Sequence, residues 1–119
     1  MATSGTNIIT QRVRLLLNDT STQSNVQRWV DATLLRFLND AVTLICELRP
    51  DAKIADDGTI RTITALADIG SSISIADKWM LAICHYICAR ALEMQGGERM
   101  NLDASNHHQK AFMDLVKSM

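Results

Sequence analysis

The chain has 119 residues, a formal net charge of −1 and 47% hydrophobic residues, values that fit one ordinary globular domain. Its twelve Lys and Arg residues are scattered, which does not favour a dedicated nucleic-acid-binding protein. No apolar run is long enough to predict a membrane span, and the N-terminal residues lack a secretory pattern. Cys46, Cys84 and Cys88 lie inside apolar helical patterns, so we expect free thiols in a reducing cytosol.

Two helices are predicted in the N-terminal half. The first covers about residues 8–17, with Thr6 or Asn7 as its N-cap. Its apolar stripe is formed by Ile9, Val13, Leu16 and Leu17. The second covers about residues 33–48, between an N-cap at Asp31 and a stop at Pro50. Its polar residues form one narrow stripe, namely Arg36, Asn39, Asp40, Thr43 and Glu47.

Residues 51–76 show the weakest helical pattern. Asp56-Asp57-Gly58 predicts a turn, and two runs rich in β-branched residues, 60–64 and 72–75, could pair as a short hairpin. A third helix is predicted over about residues 78–95, with Asp77 as N-cap and Gly96 as C-terminal stop. A fourth is predicted over about residues 102–116, with an apolar side formed by Leu102, Phe112, Leu115 and Val116.

The sequence therefore predicts a mainly α fold, in which residues 1–119 form a single four-helix bundle-like domain with an irregular or hairpin segment at 51–76. The second and third helices have unusually narrow polar stripes. A helix at the surface normally carries a wider polar face. We expect both helices to sit centrally and part of their apolar surface to be covered by other subunits.

Few residues suggest chemistry. Cys84 and Cys88 could form half of a zinc site completed by His107 or His108, but cysteines on an apolar helical face are more often buried packing residues. His107 and His108 point about 100° apart on a helix, which predicts one exposed and one half-buried ring rather than a shared metal. No nucleophile elbow, zinc-protease, phosphate-binding or dinucleotide motif occurs. We expect no enzyme, and no catalytic, cofactor-binding or metal-binding residues.

Several segments, in order, resemble the head–tail connector (adaptor) proteins of tailed bacteriophages. Residues 8–19 read Ile-Ile-x-x-Arg-Val-Arg-x-Leu-Leu-Asn-Asp, like the first helix of that family. Trp29 followed by residues 34–41, Leu-Leu-Arg-Phe-Leu-Asn-Asp-Ala, resembles the next helix, and Leu-Arg-Pro-Asp-Ala at 48–52 resembles its stop. Residues 74–77 and 85–92 resemble the third helix, and Phe112 with Leu115 resembles the short closing helix.

The resemblance implies a structural virion protein located at the head–tail interface and assembled in the host cytoplasm. Such proteins form a homo-oligomeric ring, commonly of twelve subunits, that joins the portal protein to a downstream tail, stopper or nozzle protein. Double-stranded DNA would pass through the ring without specific binding, and no membrane would be involved. The alternative is a small helical regulatory or nucleic-acid-binding protein, which would need a basic recognition helix that the sequence does not show.

Eight residues are candidates for the interface with other subunits or with the portal. Trp29 is included because Trp is frequent at binding hot spots, although core packing is the competing interpretation. The second helix contributes three polar residues of its stripe. The others come from residues 51–76 (the middle segment), from the position just before this segment and from the last helix. The complete set is Trp29, Arg36, Asn39, Asp40, Arg49, Asp51, Arg61 and Phe112.

Overall fold

A computed structural model describes residues 4–17, 31–55, 57–95 and 99–118. These residues form a mainly helical fold of four helices without a β-sheet. Helix α1 has three consecutive parts, an α-helical turn at Gly5–Ile8, a π-helical segment at Ile9–Val13 and an α-helical turn at Arg14–Leu17. The others are α2 (Asp31–Leu48), α3 (Met80–Gln95) and α4 (Arg99–Ser118). The mainly α prediction is confirmed.

Helix α1 begins earlier than expected. Its N-cap is Ser4, whose Oγ accepts a hydrogen bond from the backbone N–H of Asn7 at 3.2 Å, so neither Thr6 nor Asn7 is the cap. The prediction that Leu16 belongs to the buried apolar stripe is wrong, because its side chain is 52% exposed. A π-helical segment has more residues per turn than an α-helix and rotates the residues that follow it. Arg14 consequently lies in the interior, 3% exposed.

Helix α2 begins at Asp31 and ends at Leu48. Asp31 is its first helical residue rather than its N-cap, and its carboxylate accepts a hydrogen bond from the buried guanidinium of Arg14. The narrow polar stripe is confirmed at four positions, Arg36, Asp40, Thr43 and Glu47, which are all exposed. The salt bridge from Arg14 joins the start of α2 to α1.

Helix α3 occupies the centre of the molecule, where it packs against α1, α2 and α4. It follows a 3₁₀ turn at Asp77–Trp79, so Asp77 begins that turn and the cap position falls on Ala76, which makes no side-chain cap hydrogen bond. The side chain of Trp79 is completely buried. The central position of α3 accounts for its narrow polar stripe. Gly96, the predicted stop, lies outside the described residues.

Helix α4 runs antiparallel to α3 and begins at Arg99, three residues before the predicted start. The side chain of Leu102, predicted on its apolar face, lies outside the described part of the chain, whereas Phe112 and Val116 are buried. Ser105 is 2% exposed, and its Oγ donates a 2.8 Å hydrogen bond to the backbone carbonyl of Ala89. A serine facing an alanine lets the two backbones approach closely while the buried hydroxyl remains satisfied.

The structure does not support the predicted hairpin between α2 and α3. After a 3₁₀ turn at Pro50–Lys53, one isolated antiparallel bridge pairs Ile54 with Ile60 across the turn that contains Gly58, whose φ is 87°. In the described residues of 51–76, no strand extends from this bridge. The two β-branched runs are linked through a side chain, since the hydroxyl of Ser74 donates to the carbonyl of Thr64 and accepts from its N–H, both at 2.9 Å.

The last part of this segment is attached to the start of α1. Ser71 O accepts from the N–H of Gly5 at 2.9 Å, and Ile69 O accepts from the N–H of Thr6 at 2.6 Å. These bonds satisfy two amides that a helix N-terminus leaves free. A Cβ on Gly5 would lie 2.7 Å from Ile69 O, so only glycine permits this approach. Ile73 and Ile75 then enter the core.

Candidate functional site

Three of the candidate interface residues lie on α2, and they behave differently. Arg36 and Asp40 are exposed and make no ion pair within the described residues. Asn39 instead holds the middle segment, because its Oδ1 accepts from Leu66 N–H at 2.9 Å and its Nδ2 donates to Leu66 O at 3.1 Å. The stripe therefore leaves Arg36 and Asp40 available to another molecule, whereas Asn39 has a structural role.

Arg49 and Asp51 form a clamp at the end of α4. The Arg49 guanidinium donates two 2.9 Å hydrogen bonds to the two carboxylate oxygens of Asp51 and a third, of 2.6 Å, to the carbonyl of Val116. It also lies 5.7 Å from the ring centroid of Trp79. Hydrogen bonding to Arg49 lowers the pKa of Asp51 below its usual value. Both residues serve contacts inside the chain, where Arg49 satisfies a C-terminal carbonyl of α4.

The remaining three candidates are Phe112, Arg61 and Trp29. Phe112 is buried, and its ring packs against Tyr86 with centroids 5.3 Å apart. Arg61 is partly buried, its backbone N–H donates to Lys53 O at 2.6 Å, and its side-chain Nε is buried without a hydrogen-bond partner. Trp29 lies outside the described residues. Of the two that the structure describes, neither Phe112 nor Arg61 has a fully exposed side chain.

Large apolar side chains are exposed at several separate positions. The most exposed are Ile60 at 80% and Leu15 at 65%. Isolated exposed apolar residues are ordinary, but Leu15 and Leu16 are adjacent, as are Ile54 and Ile60 across their bridge. The other exposed large apolar residues are Leu48 and Leu81. These positions identify two small apolar surfaces, one on α1 and one at the tip of the middle segment.

Two clefts meet along the surface of α3. One, of about 340 Å³, is lined by Thr33, Arg36 and Phe37 of α2 and by Arg90 and Glu93 of α3. The other, of about 270 Å³, shares Arg90 and Glu93 and continues over apolar side chains of three helices, among them Leu44, Tyr86, Phe112 and Met113. The Arg90 guanidinium lies 5.7 Å from the ring centroid of Phe37. This groove combines both signs of charge with an apolar floor, which is typical of protein-binding surfaces.

A pair of histidines joins α3 to α4. His85 Nδ1 and His108 Nδ1 are 2.9 Å apart, and the ring centroids are separated by 5.1 Å. One of the two nitrogens must carry a hydrogen and the other must accept it. Burial lowers the pKa of both rings, to about 4 for His108, so both are neutral near pH 7. His107 is exposed and His108 half-buried, as predicted, and their ring centroids are 5.5 Å apart.

The cysteines are packing residues in this structure. Cys46, Cys84 and Cys88 are free and buried within the core. Burial raises the pKa of Cys84 to about 11 and that of Cys88 to about 12, so both remain protonated thiols at neutral pH. A protonated thiol in an apolar environment is neither a strong nucleophile nor a ready metal ligand.

Sequence reasoning missed the histidine pair because it compared His85 with its neighbours along one helix. His85 and His108 are equally distant in sequence from the Gly96-Gly97 pair. In two antiparallel helices joined by a short connection, such positions lie opposite each other. The same reasoning brings Ala89 close to Ser105, and this symmetry is the signal that could have predicted both contacts.

Comparison with protein-family models, with curated proteins and with solved structures finds no match for this chain. Among the described residues, no group of three or more His, Cys, Asp or Glu could hold a metal ion. Within the same ranges, no helix combines the length and apolar character needed to cross a membrane.

Proposed function

We propose that this protein is a non-enzymatic structural subunit of a bacteriophage head–tail connector. It would form a homo-oligomeric ring, commonly of twelve copies in the family it resembles, between the portal and the next tail protein. The ordered resemblance of its helical motifs supports the family, and a four-helix bundle-like arrangement is the fold that we associate with it. Its site of action would be the virion head–tail interface.

The observation that carries the proposal is the exposed apolar surface of so small a domain. Ile54 and Ile60 stand out from the tip of the middle segment, and Leu15 and Leu16 stand out from α1. The groove over α3 offers a third apolar area flanked by Arg36 and Arg90. Distinct patches on one subunit suit heterologous contacts, which close into rings when the rotation between subunits allows it.

The contacts within the chain narrow the choice of interface residues. Because Asn39, Arg49 and Asp51 are engaged inside the subunit, substituting them would disturb the fold before it disturbed assembly. Arg36 and Asp40 are the candidates whose charged groups are exposed and free for partner contacts. We therefore assign the subunit or portal contact to these two residues together with the exposed isoleucines.

The decisive experiment mixes the purified protein with the portal protein of the same phage and measures mass by light scattering. We expect assembly at a fixed ratio with the portal, and a lower-mass species for the protein alone. Ile60→Ser should weaken assembly while leaving the thermal unfolding of the subunit unchanged, since Ile60 is 80% exposed. Thr62→Ser, an exposed neighbour, is the matched control. A protein that never associates with its own portal would contradict the proposal.

The proposed channel has a consequence for DNA. An inward-facing Lys or Arg would be repeated in every subunit of the ring, giving on the order of ten phosphate contacts. Contacts of that number change affinity by about 10³–10⁵ between low and moderate salt, and DNA held so tightly would resist ejection. We propose a lumen dominated by acidic or neutral polar side chains. Gel-shift assays should show no appreciable duplex binding near physiological salt, and sub-micromolar binding with a steep salt dependence would favour the nucleic-acid-binding alternative.

A further inference from the structure

The contact between His85 and His108 has the geometry of a chelating pair as well as that of a hydrogen bond. The two rings belong to different helices, and their Nδ1 atoms point at each other across 2.9 Å. Bonds of about 2.0–2.1 Å from zinc to imidazole nitrogen, at a tetrahedral angle, place two ligand nitrogens about 3.3 Å apart. The difference is small enough for modest side-chain rotations to accommodate an ion.

We propose that His85 and His108 form a two-histidine site for a divalent transition-metal ion, which links α3 to α4. Imidazole nitrogen is a preferred ligand of zinc, nickel and copper ions. Carboxylate-preferring ions such as magnesium and calcium would not bind here, because the pair offers nitrogen rather than oxygen. The inference is independent of the connector proposal, since it concerns two helices of one subunit.

The surroundings of the pair fit this assignment. Both histidines are half-buried and not enclosed in the core. Each imidazole is neutral near pH 7, which is the form that binds metal. Binding needs only that the donating ring move its hydrogen from Nδ1 to Nε2, with no net release of a proton.

The remaining coordination positions would be occupied by water. No third His, Cys, Asp or Glu completes a cluster within the described ranges. His107 precedes His108 on the same helix and is exposed, and adjacent helical residues point about 100° apart. Cys84 and Cys88 are buried in the core as protonated thiols. We therefore expect one ion per subunit, bound with micromolar rather than nanomolar affinity.

The test titrates zinc and nickel chloride into untagged full-length protein by isothermal titration calorimetry and records the melting temperature. We expect one ion per chain and a higher melting temperature with metal, because the ion binds the folded state preferentially. His85→Gln and His108→Gln should each abolish both effects. His107→Gln and the double variant Cys84→Val with Cys88→Val should retain them.

Spectroscopy of the unsubstituted protein supplies a readout that does not depend on how the variants fold. Cobalt should give the visible bands of nitrogen and oxygen coordination, and zinc should shift the ring-nitrogen NMR signals of His85 and His108 but not those of His107. No binding at millimolar metal, binding that survives loss of either paired histidine, or a thiolate-to-cobalt charge-transfer band would each overturn the proposal.

Discussion

Helices α3 and α4 contact each other through fully buried side chains, whereas residues 57–72 reach the core only with half-buried side chains and are attached to the fold by hydrogen bonds to their backbone. Phe112, Val116 and Ser105 of α4 are buried, and α3 contributes the centre of the core. None of residues 57–72 is fully buried, yet Asn39, Ser74 and the start of α1 bind their backbone at separate points. A segment attached in this way can present exposed isoleucines without ordered strands.

We expect a large loss of stability wherever a buried side chain of the α3–α4 pair is removed. Phe112→Ala should lower the free energy of unfolding by about 3 kcal/mol, because it deletes a buried ring that packs against Tyr86. Urea denaturation followed by circular dichroism measures the change, with the exposed Lys110→Ala on the same helix as control. If Phe112→Ala left stability intact and only weakened portal binding, Phe112 would be an interface residue rather than a core residue.

A substitution at Gly5 should weaken the hydrogen bonds that attach the middle segment to α1. Gly5→Ala places a Cβ 2.7 Å from Ile69 O, and the clash should cost about 2 kcal/mol. Hydrogen exchange should show weaker protection of the Gly5 and Thr6 amides, with little change in α4. Gly70→Ala is the matched control, since its nearest neighbour is the flexible carboxylate of Asp68 at 3.2 Å. Equal losses for the two variants would contradict the proposed close approach.

The two regions also differ in how well the sequence predicted them. The buried positions of α2 and α3 followed from the 3.6-residue period, and the narrow polar stripe correctly indicated a central position for α3. Leu16 was misplaced because no sequence pattern signalled the π-helical segment that rotates α1. The period of a sequence indicates one face of a regular helix and loses that information where the helix is irregular.

The middle segment and the candidate site depended on tertiary contacts that local patterns do not contain. The β-branched runs favoured strands, but Ser74 and Asn39 satisfy backbone groups that a ladder would otherwise use. Arg49 was predicted as an interface residue, and local patterns did not predict the contacts that its guanidinium makes with Asp51 and the end of α4. The sequence pattern does not distinguish a polar residue that is free at the surface from one that binds another part of the chain. The distinction requires the positions of residues that are distant in sequence.

Asn39 allows the backbone attachment to be tested at one side chain. Asn39→Ala removes both hydrogen bonds to Leu66 and should lower the free energy of unfolding by about 1 kcal/mol, since Leu66 keeps access to water. The Leu66 amide should exchange faster, whereas Thr43→Ala, an exposed residue of the same stripe, should have little effect. If the Leu66 amide exchanged at an unchanged rate and portal binding became weaker, Asn39 would be an interface residue.

The smallest expected effect concerns acid and the clamp of Arg49 on Asp51. The hydrogen bonds that Arg49 donates to Asp51 lower the folded-state pKa of Asp51 below the usual 3.8. The ionised pair therefore stabilises the protein above that value, and its contribution disappears as the pH falls through the lower, folded-state pKa. The difference in unfolding free energy between the unsubstituted protein and Asp51→Asn should be steady above about pH 5 and shrink in more acidic solution. Because Asp51 is exposed, the difference should be small and should diminish with added salt. Repeating the measurement in an Arg49→Ala background tests the pair, and there the acid-dependent difference should be smaller, because Arg49 is the largest of the groups that lower the pKa of Asp51. A difference of unchanged size without Arg49 would show that another group sets the pKa of Asp51.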